Sequence, residues 1–335
     1  MSGTPEAPPG RVPYPTATMA NEPVPGRPAT TRAPSAAPGS SAVTDHAATP
    51  AGTRAAAPDG TRAATPAARS APHSRTLGLR AALLFPDRDI VERYYLPVVY
   101  TACRTCYSEL EPDEIFRRAV SGRVAVEKQQ ELARRVIESG HGSTIEHIVF
   151  TFGISGATRT LTHQLVRHRV GIAFDQQSQR YVNFRSPAYA VPATVQEAPG
   201  DLRERYVASM DGALGLYGEL LGAGVPGEDA RFVMPNATRT NLVMTVNFRE
   251  LIHMSGLRLC TMAQWEIRRL FQLIRHEIFG VSPFLGSFLA PKCVPMGYCD
   301  ESGNRDGHCR IRPHRDEVLA AWAEKRNASR RPAGG

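Results

Sequence analysis

The first 76 residues limit most strongly what this chain can fold into. Residues 1–76 hold fourteen of the chain's 27 prolines and contain no Leu, Ile, Phe, Trp, Cys or Lys. Ordering a backbone costs about 1–2 kcal/mol per residue, and a segment without large aliphatic side chains has too little apolar area to bury in return. The sequence therefore predicts a disordered Pro/Ala-rich tail over 1–76, leaving roughly 260 of the 335 residues to close one core. Length alone allows two ordinary domains; composition reduces that to a folded domain over 77–295 and a Cys-containing C-terminal extension over 296–335.

The formal charge of +8 divides in the same way. Seven Arg against Glu6, Glu22, Asp45 and Asp59 put +3 on the tail, so the folded part carries about +5. That balance suits a protein that binds anionic small molecules at least as well as one that tracks a phosphate backbone. No run reaches the ~18 apolar residues of a membrane span, and the N-terminus lacks the charged start and apolar core of a secretory signal. The expectation is a cytoplasmic protein with no membrane partner.

Six cysteines stand at 103, 106, 260, 293, 299 and 309. Cys103-Arg-Thr-Cys106 has the spacing of a redox pair or half of a zinc site, and Cys293, Cys299, His308, Cys309 and His314 make a looser cluster. Neither has the paired C-x-x-C spacing of a structural zinc site, so the sequence reading assigns no metal and leaves these as loop cysteines.

Residues 88–110 read as the start of the fold, and 125–140 as a helix stopped by Gly140. The β-branched and aromatic run 148–154 reads as a strand, and helical spacing returns over 157–169. Residues 201–224 predict a long helix, Pro226 opens a short one that Pro235 stops, and 241–247 is a strand or an extended helix entry. Helices over 248–258 and 261–279 complete the domain; beyond Val281 the chain reads as loop, apart from a short helix at 314–326. Strands feeding helices predict an α/β or α+β domain.

The stretch from Gln164 to Tyr181 carries the densest chemistry. On a continuous helix Gln164, Arg167 and His168 share one face and Arg169 points about 100° away, so two neighbouring cations address two places. Residues 175–181 then read as a polar loop closed by Arg180, suited to gripping a phosphate. Arg231 lies inside an otherwise apolar helix, either snorkelling or paired with a buried anion. Arg249 and His253 stand one helical turn apart, with Arg258 about a turn further on.

Arg167-His168-Arg169, eight intervening residues and then Ser178-Gln179-Arg180-Tyr181 resemble the signature of the flavin-dependent thymidylate synthases. Residues 140–152, 224–235, 245–253 and 257–267 resemble further blocks of that family, in the family's order. The resemblance implies a single catalytic domain in a homotetramer with shared active sites. It also implies FAD as cofactor, NADPH and methylenetetrahydrofolate as co-substrates, and dUMP as the nucleotide methylated to dTMP. All of these ligands are anionic, and a modest positive charge with clustered arginines is what their binding would need.

Carried over by position, Gln164, Leu165, Val166, Arg167, Gln176, Gln177, Ser178, Gln179, Arg180 and Arg231 resemble nucleotide-binding residues, Ser178 and Arg180 toward the phosphate. Ser143, Arg167, His168, Arg169, Asn247, Phe248, Arg249 and His253 resemble flavin contacts, with His141 nearby. Arg258 matches the residue that touches and activates the uracil ring, where a fixed guanidinium favours the electron-rich form of the pyrimidine. Two departures stand out: the interval before Ser178 is eight residues rather than seven, and Gln176 replaces a familiar acid, so it can hydrogen-bond a sugar but not act as a base. The competing readings are a family flavoprotein that has lost thymidylate synthesis and, from a different class, a basic nucleic-acid-binding protein.

Overall fold

The computed structural model describes residues 78–182, 184, 187–304 and 309–329, so the tail predicted over 1–76 lies outside the described residues. Four strands, β1 (Arg80–Phe85), β2 (Val149–Thr158), β3 (Ile172–Gln176) and β4 (Arg239–Asn247), form one antiparallel sheet in the order β1-β2-β4-β3. The main helices are α1 (Leu96–Thr105), α2 (Pro112–Val120), α3 (Val126–Glu138), α4 (Arg159–Leu165), α5 (Leu202–Gly222), α6 (Phe248–Arg258), α7 (Trp265–Val281) and α8 (Arg315–Ser329). With helices gathered on an antiparallel sheet, the arrangement is α+β.

Strand alternation decides where the core sits. Phe150, Phe152 and Ile154 of β2 and Leu242, Met244 and Val246 of β4 all point to one face and are buried. Against them pack Phe248, Leu251 and Met254 of α6 and Ile267, Leu270, Phe271, Ile274 and Ile278 of α7. Each such side chain contributes about 1.5–3 kcal/mol on leaving water. The opposite face is more open: Thr151 and Thr245 bond across it at 3.0 Å, while Leu84, Val149 and Val243 are exposed.

A buried carboxylate sets the start of α4. Glu266 of α7, 2% exposed, accepts the Thr158 N–H at 3.0 Å and the Thr158 hydroxyl, while Thr158 Oγ1 caps α4 by accepting from Leu161 N at 3.1 Å. The helix that leads into the Arg-His-Arg stretch is therefore pinned to α7 at its first residue.

Three sequence expectations change. The fold begins earlier than residue 88, because β1 adds an edge strand whose inner residues are only half-buried and whose alternation is weak. The helix expected over 157–169 ends at Leu165, and the expected loop from Asp175 is preceded by strand β3, regular through Gln176. The reason is tertiary: Ile172 must lie opposite Val246 and Gly171 must reach the Asn247 N–H, so the chain has to leave the helix before Arg167. Beyond Val281 the chain is not all loop, since short helical turns at Pro283–Gly286 and Cys293–Met296 lead on toward α8.

Replacing Glu266 by Ala leaves two buried donors unpaired. The expected cost is about 3 kcal/mol in urea unfolding, with Glu266→Gln recovering at least half of it; equal stability of Glu266→Ala and the parent would refute the pinning role.

Candidate active site

The Arg-His-Arg residues occupy a turn between α4 and β3. Val166 caps α4, His168 N–H returns to Leu165 O at 3.1 Å, and Gly171 turns the chain with φ +67°. A side chain at 171 is excluded twice, by that positive φ and by Asn247 Nδ2, which would lie 2.1 Å from an added Cβ. Residues 172–176 of the long interval pair with β4 without a register shift. The shared helical face expected for Gln164, Arg167 and His168 does not form: Arg167 and Arg169 are exposed, whereas His168 is turned inward and 8% exposed.

His168 is the centre of a continuous hydrogen-bonded chain. Arg258 Nε donates to His168 Nε2 at 3.1 Å, so the ring proton sits on Nδ1 and is donated to Glu250 Oε1, also at 3.1 Å. Arg258 Nη2 donates to the Gln164 carbonyl at 3.3 Å. With two nitrogen atoms held, the guanidinium is fixed in place and still has donors for a ligand. The Glu250 N–H in turn donates to Asn247 Oδ1 at 2.9 Å, the N-cap of α6, and the Asn247 N–H donates to Gly171 O at 2.8 Å.

Burial and charge act on this chain in a definite direction. Desolvation, then the neighbouring Arg258, His253 and Arg167, hold His168 down at about 4, outweighing the Glu250 carboxylate, which by itself would raise it. Burial likewise raises the Glu250 carboxyl and lowers Arg258, the latter with help from Arg167. His168, Glu250 and His253 bring ligand atoms within 4.8 Å of one another, the spacing of a metal set. Both His168 nitrogens are already engaged and a guanidinium stands against one of them, so this trio is better suited to orienting Arg258 than to holding a cation.

On the other side of α6, Arg249 Nη1 bonds Glu146 Oε1, and its side chain lies over Gly142, where an added Cβ would come within 2.7 Å of Arg249 Nε. Glu146 is an exposed ion-pair partner. Ser143 follows in the same turn and lines a groove of about 630 Å³ together with Thr101, Phe116 and His147.

A second group gathers around the end of β3. Arg159 Nη2 donates to Gln177 O at 3.2 Å, and Asn241 Nδ2 donates to Gln177 Oε1 at 3.2 Å. Arg180 pairs with Glu228 at 3.0 Å and lies over the exposed Tyr181 ring, while Arg231 Nε donates to Glu228 O at 3.0 Å. Burial and the nearby Arg231 lower Arg159, which marks the cations here as close neighbours. Gln176 faces inward and its amide nitrogen donates to Thr162 and Thr240 hydroxyls at 3.3 and 3.4 Å, a structural engagement. Leu165 is buried core, Phe248 is fully buried, and neither presents a side chain to solvent.

Sequence reasoning missed Glu250, Arg159 and Gly171. Glu250 had a visible signal: Asn247-Phe-Arg-Glu250 has the spacing of a helix-capping box, here with the Glu side chain diverted to His168. Arg159 had none, since its relevance comes from the Gln177 carbonyl that the sheet brings to it.

The family model described as thymidylate synthase complementing protein matches residues 94–284. A flavin-dependent thymidylate synthase of Geobacter sulfurreducens is 41% identical over 207 residues, covering 61% of this chain and 86% of that relative. One from Clostridium tetani is 33% identical over 247 residues, covering 68% and 92%. The crystal structure of a UMP/dUMP methylase, PolB from Streptomyces cacaoi bound with 5-Br dUMP, superposes with a TM-score of 0.52 at 22% identity. It covers 63% of this chain and 94% of that one, which shows a shared fold. The fold and the site define an α+β protein of the thymidylate synthase complementing class. This chain belongs to the flavin-dependent thymidylate synthase family.

The depressed His168 fixes a pH dependence. Its folded value of about 4 lies below the ordinary 6.5, so between those values the unfolded chain takes up a proton that the folded chain refuses. Stability should therefore fall by about 3 kcal/mol as pH drops from 6.5 to 4, beyond what His168→Asn shows over the same range in urea unfolding. Parallel pH profiles for the two proteins would contradict a buried neutral His168.

Proposed function

We propose that this chain is a flavin-dependent thymidylate synthase that converts dUMP, methylenetetrahydrofolate, NADPH and a proton to dTMP, tetrahydrofolate and NADP. The observation that carries the reading is the meeting of Arg258 with His168, 90 positions apart in the chain, at the Arg-His-Arg turn. Membership of the family, with relatives named for this activity at about 40% identity, supports it.

The residues present suit FAD. Arg167 and Arg169 are exposed in the turn, Arg249 and His253 are exposed on α6, and the close approach at Gly142 leaves room for Arg249 beside Ser143. Cationic donors of this kind match a pyrophosphate, and a 630 Å³ groove beside Ser143 has the size of a cofactor pocket. When bound and reduced by NADPH, the flavin supplies the hydride that completes the methyl group.

The protein's own groups have separable roles. Ser178 and Arg180 hold the nucleotide phosphate, Arg180 exchanging its half-exposed pair with Glu228 for the stronger charge of the ligand. Arg231, Arg159 and Gln177 complete that end of the site, with Gln164, Val166 and Gln179 shaping its wall and Gln176 bracing it from within through Thr162 and Thr240. Arg258 is the catalytic residue: its remaining donors meet the pyrimidine carbonyl and stabilise charge that builds on the ring during carbon transfer. His168, kept neutral, accepts from Arg258 and passes the alignment to Glu250, and it is a positioning residue for the guanidinium. Arg249 exchanges an exposed ion pair, worth about 0–1 kcal/mol, for the cofactor.

Four copies with shared sites are what the family resemblance implies, and the exposed outer sheet face, with Leu84, Val149 and Val243, is a surface such association would cover. Among the described residues no helix is long and apolar enough to cross a membrane. Size-exclusion chromatography coupled to light scattering should give a tetramer; a monomer that turns over at the full rate would contradict shared sites.

The deciding assay is tritium release from C5-labelled dUMP, dependent on both NADPH and the folate. A yellow, flavin-loaded protein inactive in that assay would favour a flavoprotein that has lost the synthesis, and absence of flavin would remove both. Arg258→Ala should retain flavin absorbance and lose about 10²–10³-fold in turnover, with His168→Asn intermediate. Near-normal turnover of Arg258→Ala would exclude its catalytic role.

A further inference from the structure

Cys260, Cys293, Cys299 and Cys309 come from three separate parts of the chain and line one small cavity of about 10 Å³. That is close to the room of a single water-sized body. None of the four is in a disulfide; Cys293 and Cys299 are buried, and Cys260 and Cys309 are partly so. Cys260 was outside the cluster visible in the sequence, because it follows α6 and reaches the others only through the fold.

The thiols are grouped around the cavity without the mutual 4.8 Å spacing of the His168 trio, so ligation would draw them inward by side-chain rotation. Asn304, 2% exposed, donates its amide to Cys299 Sγ at 3.6 Å and to Cys309 O at 3.0 Å, and accepts the Cys309 N–H at 2.7 Å. An N–H···S bond of this kind steadies a ligating thiolate. Gly297 turns left-handed at φ +80° between Cys293 and Cys299, and the cavity wall also carries Arg312 and a Lys292 paired with Asp300 and Glu301.

The segment that these residues belong to has almost no apolar core. Among the described residues from 297 to 314 only Cys299, Asn304 and His314 are buried, with no large aliphatic among them. Short segments of that composition are held by disulfides or by a metal. His314 lines an adjacent cavity and not this one, and His308 lies outside the described residues.

We propose that Cys260, Cys293, Cys299 and Cys309 form a tetrathiolate zinc site that fastens the C-terminal segment to the end of α6, two residues beyond Arg258. On binding, the four thiols release their protons to solvent and four Zn–S bonds form, with no change of oxidation state. Four cysteines and no open position make it a structural site, independent of the reaction proposed above.

The test is metal content of the full-length chain, purified without a metal-affinity column. The expected result is about one zinc per chain, released on modification of about four thiols, and lost in Cys299→Ser and Cys309→Ser but kept in Cys106→Ser. Because the Ser variants can fail to fold, anaerobic Co²⁺ titration of the reduced parent chain provides a second reading. Tetrahedral cobalt–thiolate absorption saturating at about one equivalent supports the site even where zinc has been stripped in purification. The proposal is overturned by less than about a tenth of an equivalent of zinc together with no such absorption, by iron in place of zinc, or by zinc that persists in well-folded Cys299→Ser and Cys309→Ser proteins.

Discussion

The site depends on where β4 stops. Asn247 is the last residue of that strand, opposite Val149 of β2, and its N–H reaches the Gly171 carbonyl. Its side chain caps α6 and fills the space that any Cβ at residue 171 would need. One residue therefore ends the sheet, starts the helix carrying Arg249, Glu250, His253 and Arg258, and holds the turn carrying Arg167 to Arg169. That rung, with the β3–β4 pairing and the His168 bonds to Glu250 and Arg258, fixes two halves of the site that belong to different parts of the chain.

The polar interior is organised around this junction at some cost in stability. Glu266 and His168 are both buried, and each is acceptable only because partners satisfy it: Thr158 for the carboxylate, Arg258 and Glu250 for the ring. His168 stays neutral because burial and the neighbouring Arg258 and Arg167 outweigh one carboxylate. A neutral ring can accept from a guanidinium, which a protonated one cannot. The tautomer, the orientation of Arg258 and the electrostatics of the turn are one arrangement rather than three features. At the other end of the chain, the C-terminal segment is short of apolar area, and sulfur ligation offers the adhesion that packing there does not provide.

Much of the fold was legible because the signals are local. The apolar alternation of 148–154, the stop at Gly140 and the periodicity of α6 and α7 depend on neighbours in sequence. The family signature was legible for the same reason. What failed was the placement of side chains in the signature itself. Periodicity continued the helix through Arg169, whereas pairing of Ile172 with Val246 ended it at Leu165. Gln176, read among ligand residues, turned inward to Thr162 and Thr240, since its strand parity was set by that same pairing.

The sequence by itself determined which part of the chain has the aliphatic content for a core, which stretches take helical or strand period, and where arginines and histidines crowd together. It also carried the motifs that the family match bears out. Only the tertiary structure decided what those residues face: His168 inward to Arg258 and Glu250, Arg167 and Arg169 outward, and Cys260 toward three distant cysteines. The physical reason is that each of these directions follows from a backbone hydrogen bond or a packing contact made between segments far apart in the chain, and no local pattern encodes the partner.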